Sequence, residues 1–188
     1  MNQVHEPYCD DEQIFVTENS QLMEIDEIFS KFENMSGAIL NRDSKTKIMG
    51  LGAWKDKTEW GLPWIQVVRK MKSLGFTLGQ SFRETSSLSW KDVVDKMRNL
   101  TNIWYSRILP TLKQRIIVVH TFLASLVWYK AAVLKIPKKV LESMESIIGT
   151  FLWKGWIERV PLEVLQSDYL EGGMRLVDIG RKGDAILL

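Results

Sequence analysis

From Ser89 onward the chain repeats apolar residues every three or four positions, the spacing of a single helix face. Trp90, Val93, Val94, Met97, Leu100 and Trp104 form the first stripe, and "SWKD", Ser89 to Asp92, reads as a capping box at its start. A second helix is expected from about Leu112 to Leu134, entered through Pro110. A third is expected from Pro137, with Val140, Leu141, Met144, Ile147, Ile148, Phe151 and Leu152 on its face. Three stripes joined by short links predict a three-helix bundle over 88–155, with Trp90, Val94, Met97, Leu123, Leu126, Met144 and Ile148 turned inward.

Upstream the periods mix. "QVHEPY" and "EQIFVTE" have strand-like content and predict a hairpin turning at Cys9 to Asp11. Leu22, Ile25, Ile28, Phe29 and Phe32 then recur at helical spacing, with Asn19 or Ser20 as cap and Gly37 as stop. "AILNRDSKTKIMGLG" reads as a strand or loop carrying Lys45 and Lys47, "WKDKTEWGLPWIQVV" as irregular, and "RKMKSLGFTLG" as a short strand pair. The tail, "EGGMRLVDIGRKGDAILL", reads as a turn, a strand and the opening of a further element. The class these patterns predict is α+β, mostly helical: a small mixed region over 1–80, the bundle, and a closing segment over 156–188.

One stretch admits another reading. "IIVVHTFLASLVWYKAAVL" is apolar enough for a hydropathy window to flag as membrane-spanning. His120, Thr121, Ser125 and Lys130 interrupt it, and amphipathic stripes flank it, so it is expected to be the buried central helix of the bundle. A membrane-anchored fragment using 116–134 is the least favoured reading.

Composition sharpens this picture in two places. The single cysteine, Cys9, excludes an internal disulfide and a cysteine-based metal site, which suits a reducing compartment. With no basic-then-apolar signal pattern in "MNQVHEPYCDD", an intracellular location is expected, nucleus or cytoplasm. The formal charge of +2 hides an asymmetry: residues 1–34 balance to −8 and residues 35–188 to +10. Solvated helix faces account for most such runs; an acidic metal-binding end followed by a surface that meets a polyanion is the sharper alternative.

Asp10 and Asp11 carry the same choice. Adjacent carboxylates in a turn are usually only a turn. They can also aim at a shared cation, as in two-metal phosphoryl-transfer sites, where Mg²⁺ suits a few carboxylates and open positions for phosphate. His5 and His120 form no metal-ligand spacing, and "GLG" at Gly50 to Gly52 lacks the helix start of a phosphate loop.

In order, these pieces resemble the reverse transcriptases of LINE-type, non-long-terminal-repeat retrotransposons, from residue 8 to the end of the chain. "YCDD" (Tyr8, Cys9, Asp10, Asp11) is similar to the family's catalytic Y/F-x-D-D hairpin. "FSKFENMSGAILNRDSKTKIMGLG" resembles the helix and loop that follow it, and "VRKMKSLGFTLG" the primer-grip hairpin. "LSWKDVVDKMRNLTNIWYSRILPTLKQRIIVVHTFLASLVWYKAAVLKIP" resembles the thumb, with its Trp-x-x-Arg at Trp104 and Arg107; "FLWKG" and "EGGMRLVDI" resemble the segments beyond. Gln114 stands where a glycine is common in that family.

The resemblance implies that residues 1–80 are the end of a polymerase palm, 88–155 a helical thumb, and 156–188 the start of a connection. It implies Asp10 and Asp11 as catalytic ligands of Mg²⁺, and Lys45 approaching a nucleotide's phosphates. Lys47, Lys70, Lys72, Arg107 and Arg115 would meet an RNA template and DNA primer. The family's third aspartate and its basic fingers precede the hairpin and are not in these 188 residues. The expectation is therefore a fragment of an RNA-directed DNA polymerase, inactive by itself and with nucleotide not clamped. The alternative is a basic nucleic-acid-binding remnant without chemistry.

Overall fold

The computed structural model describes residues 4–8, 11–42, 45–109, 111–154 and 160–187, the strand residues up to Glu12 by their backbone alone. The chain is mostly helical, with a few short strands in pairs. It divides into two compact units, 1–71 and 72–188.

The first unit opens on an antiparallel hairpin, β1 (Val4–Tyr8) and β2 (Asp11–Phe15), with Tyr8 opposite Asp11. Helix α1 (Ser20–Ser36) follows. Its expected cap, Asn19, makes no side-chain cap bond. The Gln21 Oε1 accepts instead from the N–H of Thr17 (2.8 Å) and of Glu18 (3.1 Å), which fastens the segment leading into the helix to its first turn. Gly37 ends the helix at φ 74°, the left-handed position glycine takes without strain. A two-residue parallel pair, β3 (Lys47–Ile48) with β4 (Gln66–Val67), completes the frame. The core is small: Leu22, Ile48 and Trp60, edged by Val16, Trp54, Leu62 and Ile65. Of the apolar stripe expected on α1, only Leu22 is buried, while Ile28 and Phe32 remain 60% and 57% exposed.

The second unit begins at a short hairpin, β5 (Met71–Ser73) and β6 (Phe76–Leu78). Helix α2 (Phe82–Tyr105), the helical run of α3 (Leu112–Val118) and α4 (Ser125–Ala131), and α5 (Lys138–Trp153) surround one core. Trp90, Met97, Val119, Leu123, Val127, Met144 and Leu152 are its centre. Two short helices follow, α6 (Leu162–Gln166) and α7 (Ile179–Leu187). Leu165, Leu176 and Ile179 from this tail lie in the same core, so residues 160–187 belong to the bundle's unit.

Two helix boundaries differ from the sequence reading. The first helix starts at Phe82, not Ser89: the Ser81 hydroxyl accepts the N–H of Glu84, and the Glu84 carboxylate accepts that of Gln80. "SFRE" is an earlier box of the same type, and it wins because β6 ends just before it. Ser89 lies a full two turns inside and is wholly buried. The second helix ends at Ala131 rather than Leu134. Its start is capped reciprocally by Thr111 and Gln114, which gives Gln114 a local reason to be there; Pro110 lies outside the described residues.

One inward position is also displaced. Leu126 is half-buried and Val127 takes the core site. A π turn, Val119–Leu123, separates α3 from α4, with the Ala124 N–H donating to Val119 O at 2.8 Å. Leu123, Val127 and Ala131 follow one another at the four-residue spacing of a single helix face and take the core positions. Lys130, next to Ala131, is buried too. Its ammonium donates to Ser89 O (2.9 Å) and Asp92 Oδ2 (3.0 Å). Among the described residues no helix is long and apolar enough to cross a membrane.

Candidate functional site

The Tyr8–Asp11 pairing leaves two residues, Cys9 and Asp10, to connect β1 and β2. A two-residue connection suits a tight hairpin and brings neighbouring residues of the run to one tip. Asp11 opens β2. Asp10 and Cys9 lie outside the described residues, as does the side chain of Asp11. Among the residues that are described, no three His, Cys, Asp or Glu side chains stand close enough to share an ion. The fit of a metal therefore rests on the donor type at this tip: adjacent carboxylates supply hard oxygens, which Mg²⁺ takes.

Lys45 lies on the loop into β3 and Lys47 opens that strand, on either side of Thr46, and both are exposed. The loop is pinned locally. Thr46 bonds Asn41 O through both its hydroxyl (2.8 Å) and its N–H (3.2 Å). Arg42 ties the same segment to α1 through Glu33 at 2.6 Å and Asp26 at 3.5 Å. The hydrogen bond from Arg42, with a second from the Leu40 N–H, holds the Glu33 carboxyl below its ordinary range. The acid-rich α1 thus spends two carboxylates on one arginine and leaves Lys45 and Lys47 without an ion pair among the described residues.

Lys70 and Lys72 are exposed, Lys72 on β5. Arg107 follows α2, its guanidinium 5.8 Å from the centre of the Trp104 ring. Arg115 is half-buried instead, and donates to the carbonyl of Leu152 near the end of α5, where the last carbonyls of a helix lack partners. That bond gives Arg115 a structural task within the bundle. Lys45, Lys47 and Lys70 belong to the first unit, and Lys72, Arg107 and Arg115 to the second; Lys45 with Lys47, and Lys70 with Lys72, are neighbours along the chain.

Two open hollows flank α5. One, about 530 Å³, lies between α2 and α5 and is lined by Arg98, Thr101, Tyr105, Lys139, Glu142 and Thr150 among others. Tyr105 closes one end by donating to Thr150 O at 2.7 Å. The second, about 410 Å³, lies against α6 and holds Glu145 and Glu163. Burial, then the charges of Asp178, Glu142 and Glu163, push the Glu145 carboxyl up. An acidic hollow of this kind repels phosphate, so a polyanion would avoid the α6 end of the bundle.

The sequence reading missed a set of side chains that fix the β5–β6 hairpin. Tyr129 donates to Leu74 O (2.7 Å), Ser89 receives the Thr77 N–H (3.1 Å), and Thr85 receives the Gly79 N–H (2.9 Å). No local signal announces them, since each partner lies from six to 55 residues away. No protein-family model matches the chain, and no curated protein matches it.

Proposed function

We propose that this chain is part of an RNA-directed DNA polymerase of the LINE-type, non-long-terminal-repeat class, joining its metal-bearing hairpin to a helical region that holds nucleic acid. The observation that carries the reading is the β1–β2 register, which sets the ends of the Tyr-Cys-Asp-Asp run opposite one another across a two-residue connection. The order of the remaining segments supports it: helix, loop with Lys45, strand with Lys47, hairpin with Lys72, then the bundle. Asp10 and Asp11 would hold Mg²⁺, which supplies charge neutralisation and alignment of phosphate oxygens when bound. Lys45 would approach a nucleotide's phosphates. Lys47, Lys70, Lys72 and Arg107 would follow the backbone of an RNA template and DNA primer as sequence-independent cations, with Arg115 divided between that task and its carbonyl.

Holding two ions about 3.5–4 Å apart takes ligands from more than one strand, and these carboxylates come from one tip. The 188 residues assayed by themselves should therefore bind a divalent cation weakly and not extend a primer. The test is a titration with Mn²⁺ as a paramagnetic probe. Amide resonances of residues 8–12 should broaden first, and the effect should vanish in Asp10→Asn/Asp11→Asn. Broadening spread evenly over the acidic positions of the chain would remove the metal site.

A second reading, nucleic-acid binding without chemistry, is favoured by a separate observation. Arg83, Lys113, Lys138 and Lys139 are exposed and carry no ion pair among the described residues. This reading expects steeply salt-dependent oligonucleotide binding that persists in the aspartate variant with no localised metal effect.

A further inference from the structure

The β5–β6 hairpin is too short to hold itself. A pair of three-residue strands is not stable alone in water, and this one is bent through an unfavourable tip. The two connecting residues, Leu74 and Gly75, are both left-handed, at φ 45° and 79°. That is the pattern of a type I′ turn, which favours Asn-Gly or Gly-Gly. Gly75 meets the requirement. Leu74 does not, because its Cβ crowds the following carbonyl in that conformation.

The helices supply what the turn residue lacks. The Tyr129 hydroxyl donates to the carbonyl of Leu74 at 2.7 Å. Its ring lies so close to the tip that a Cβ on Gly75 would sit 3.2 Å from ring carbon Cε1, and the Phe76 ring packs beside it with centroids 5.3 Å apart. One strand residue further on, the Ser89 hydroxyl accepts from Thr77 N–H (3.1 Å) and donates to Thr77 O (3.3 Å). Thr85 then receives the Gly79 N–H at 2.9 Å. Ser89 is wholly buried, so this is part of the interior and not an incidental surface bond. The hairpin is fastened to α2 through its returning strand and to α4 through its tip. On the other strand Lys72 is exposed, between half-buried Met71 and Ser73.

Strained residues that persist because their surroundings hold them cluster at ligand clamps and other functional sites. The bundle core has no need of this tip; of the hairpin, only the half-buried Phe76 packs against it. We infer that Tyr129 is a positioning residue. Its hydroxyl locks the Leu74–Gly75 tip to α4, so that Lys72 and the tip backbone hold a nucleic-acid strand at a fixed place on the bundle. This rests on the nucleic-acid reading above. The ligand class is a phosphodiester strand met by one cation and exposed backbone groups, with no base readout.

The test uses the whole 188-residue chain as wild type, Tyr129→Phe, and Tyr129→Phe combined with Leu74→Gly. The probe is a fluorescently labelled DNA primer annealed to RNA, at low salt. Tyr129→Phe keeps the ring and its contact with Phe76, so the melting of the bundle should stay near wild type. Affinity should fall about five- to tenfold, the scale of one net hydrogen bond. The Gly75 amide resonance should broaden as the tip loosens. Leu74→Gly forms the same turn without assistance, so it should restore both the affinity and the sharp Gly75 signal in the Tyr129→Phe background. Undiminished affinity in Tyr129→Phe overturns the inference alone, as does a restored Gly75 signal without restored affinity. No binding by wild type overturns the nucleic-acid reading and takes the inference with it.

Discussion

Both units contain a helix with a regular apolar stripe, yet the two stripes meet different fates. On α2, Trp90, Val93, Val94 and Met97 are buried. On α1, Leu22 is buried, Ile25 and Phe29 are half-covered, and Ile28, Phe32 and Met35 stay in water. The difference is the number of elements each helix can lean on. Helix α2 has α4, α5 and a clamped hairpin around it. The core of the first unit takes one α1 side chain, beside one from β3 and one from the loop between β3 and β4. Periodicity specifies which face of a helix is apolar; it does not supply the surface that covers that face. Exposed apolar side chains gathered on one helix also mark the first unit as the less self-sufficient of the two.

Core truncation should separate the units most strongly. Leu123 is fully buried and surrounded on all sides, so Leu123→Ala should cost about 3–4 kcal/mol, with little room for the site to collapse. Leu22 sits in a small core edged by half-buried neighbours that can relax, so Leu22→Ala should cost about 2 kcal/mol, at the low end for such changes. Native-state hydrogen exchange resolves the two, because amides of α5 and of α1 report separately. The α1 amides should exchange first in the wild type, and Leu123→Ala should accelerate α5 more than Leu22→Ala accelerates α1. Equal effects would erase the distinction between the units.

The buried ion pair gives a prediction within the second unit. Burial pushes the Asp92 carboxyl up, but hydrogen bonds from Lys96 and Lys130 outweigh it, and the carboxyl stays below its ordinary range. Removing the negative partner strands the more deeply buried charge. Asp92→Asn should therefore cost more than Lys130→Met, by urea denaturation near neutral pH. Asp92 is partly exposed and Lys130 keeps its bond to Ser89 O, so the cost of Asp92→Asn should be about 2 kcal/mol, below the ~3–5 kcal/mol of a sealed pair. Lys130→Met leaves Asp92 with Lys96 and adds apolar volume. The reverse order of the two losses would mean that the pair is solvated in solution.

These contrasts show what could be read from the residues and what could not. The stripes of α2 and α5 were legible because they are long and regular and their partners lie within the same unit. The true start of α2 was also legible in principle: Ser81 to Glu84 is as good a capping box as Ser89 to Asp92, and only β6 decides between them. Ser81→Ala should cost about 1 kcal/mol by loss of that cap, and no loss of stability in that variant would refute the observed boundary. The π turn was not legible, since no residue in Val119–Leu123 announces it, and the three-four spacing after Leu123 left Leu126 and Val127 equally eligible for the core site that Val127 takes. The Lys130–Asp92 pair and the Tyr129–Leu74 bond join residues 38 and 55 positions apart, which no local pattern encodes. Of the candidate site, the hairpin was legible from its strand-like content, while the bond that engages Arg115 with the Leu152 carbonyl, 37 positions away, was not.

The smallest expected effect concerns pH and the tail. His120 lies in the π turn, and its Nε2 accepts the N–H of Val177 at 3.0 Å, so the fold needs the neutral ring with its proton on Nδ1. Burial lowers the affinity of the imidazole for a second proton, and the nearby charge of Lys182 on α7 lowers it further. Lys182 is held over the Trp128 ring at 4.5 Å, where its positive charge opposes an imidazolium, and the Asp178 carboxylate is engaged by the Arg181 N–H and guanidinium. The sign follows. As pH falls, the unfolded chain takes up the proton first, near the ordinary histidine value of about 6.5, while the folded chain resists. The contribution of His120 is therefore complete above that value and is lost as pH falls towards and through the lower folded value. The ring is partly exposed, so the slope should be shallow. Its readout is the difference between wild type and His120→Gln, whose amide oxygen can still accept from Val177 but cannot titrate. Wild type should lose more stability than the variant between neutral and mildly acidic pH, with the Val177 amide the first of its segment to exchange. Parallel pH profiles for the two proteins would show that the Val177 contact does not depend on the neutral ring, and that the core residues Leu165, Leu176 and Ile179 hold the tail without it.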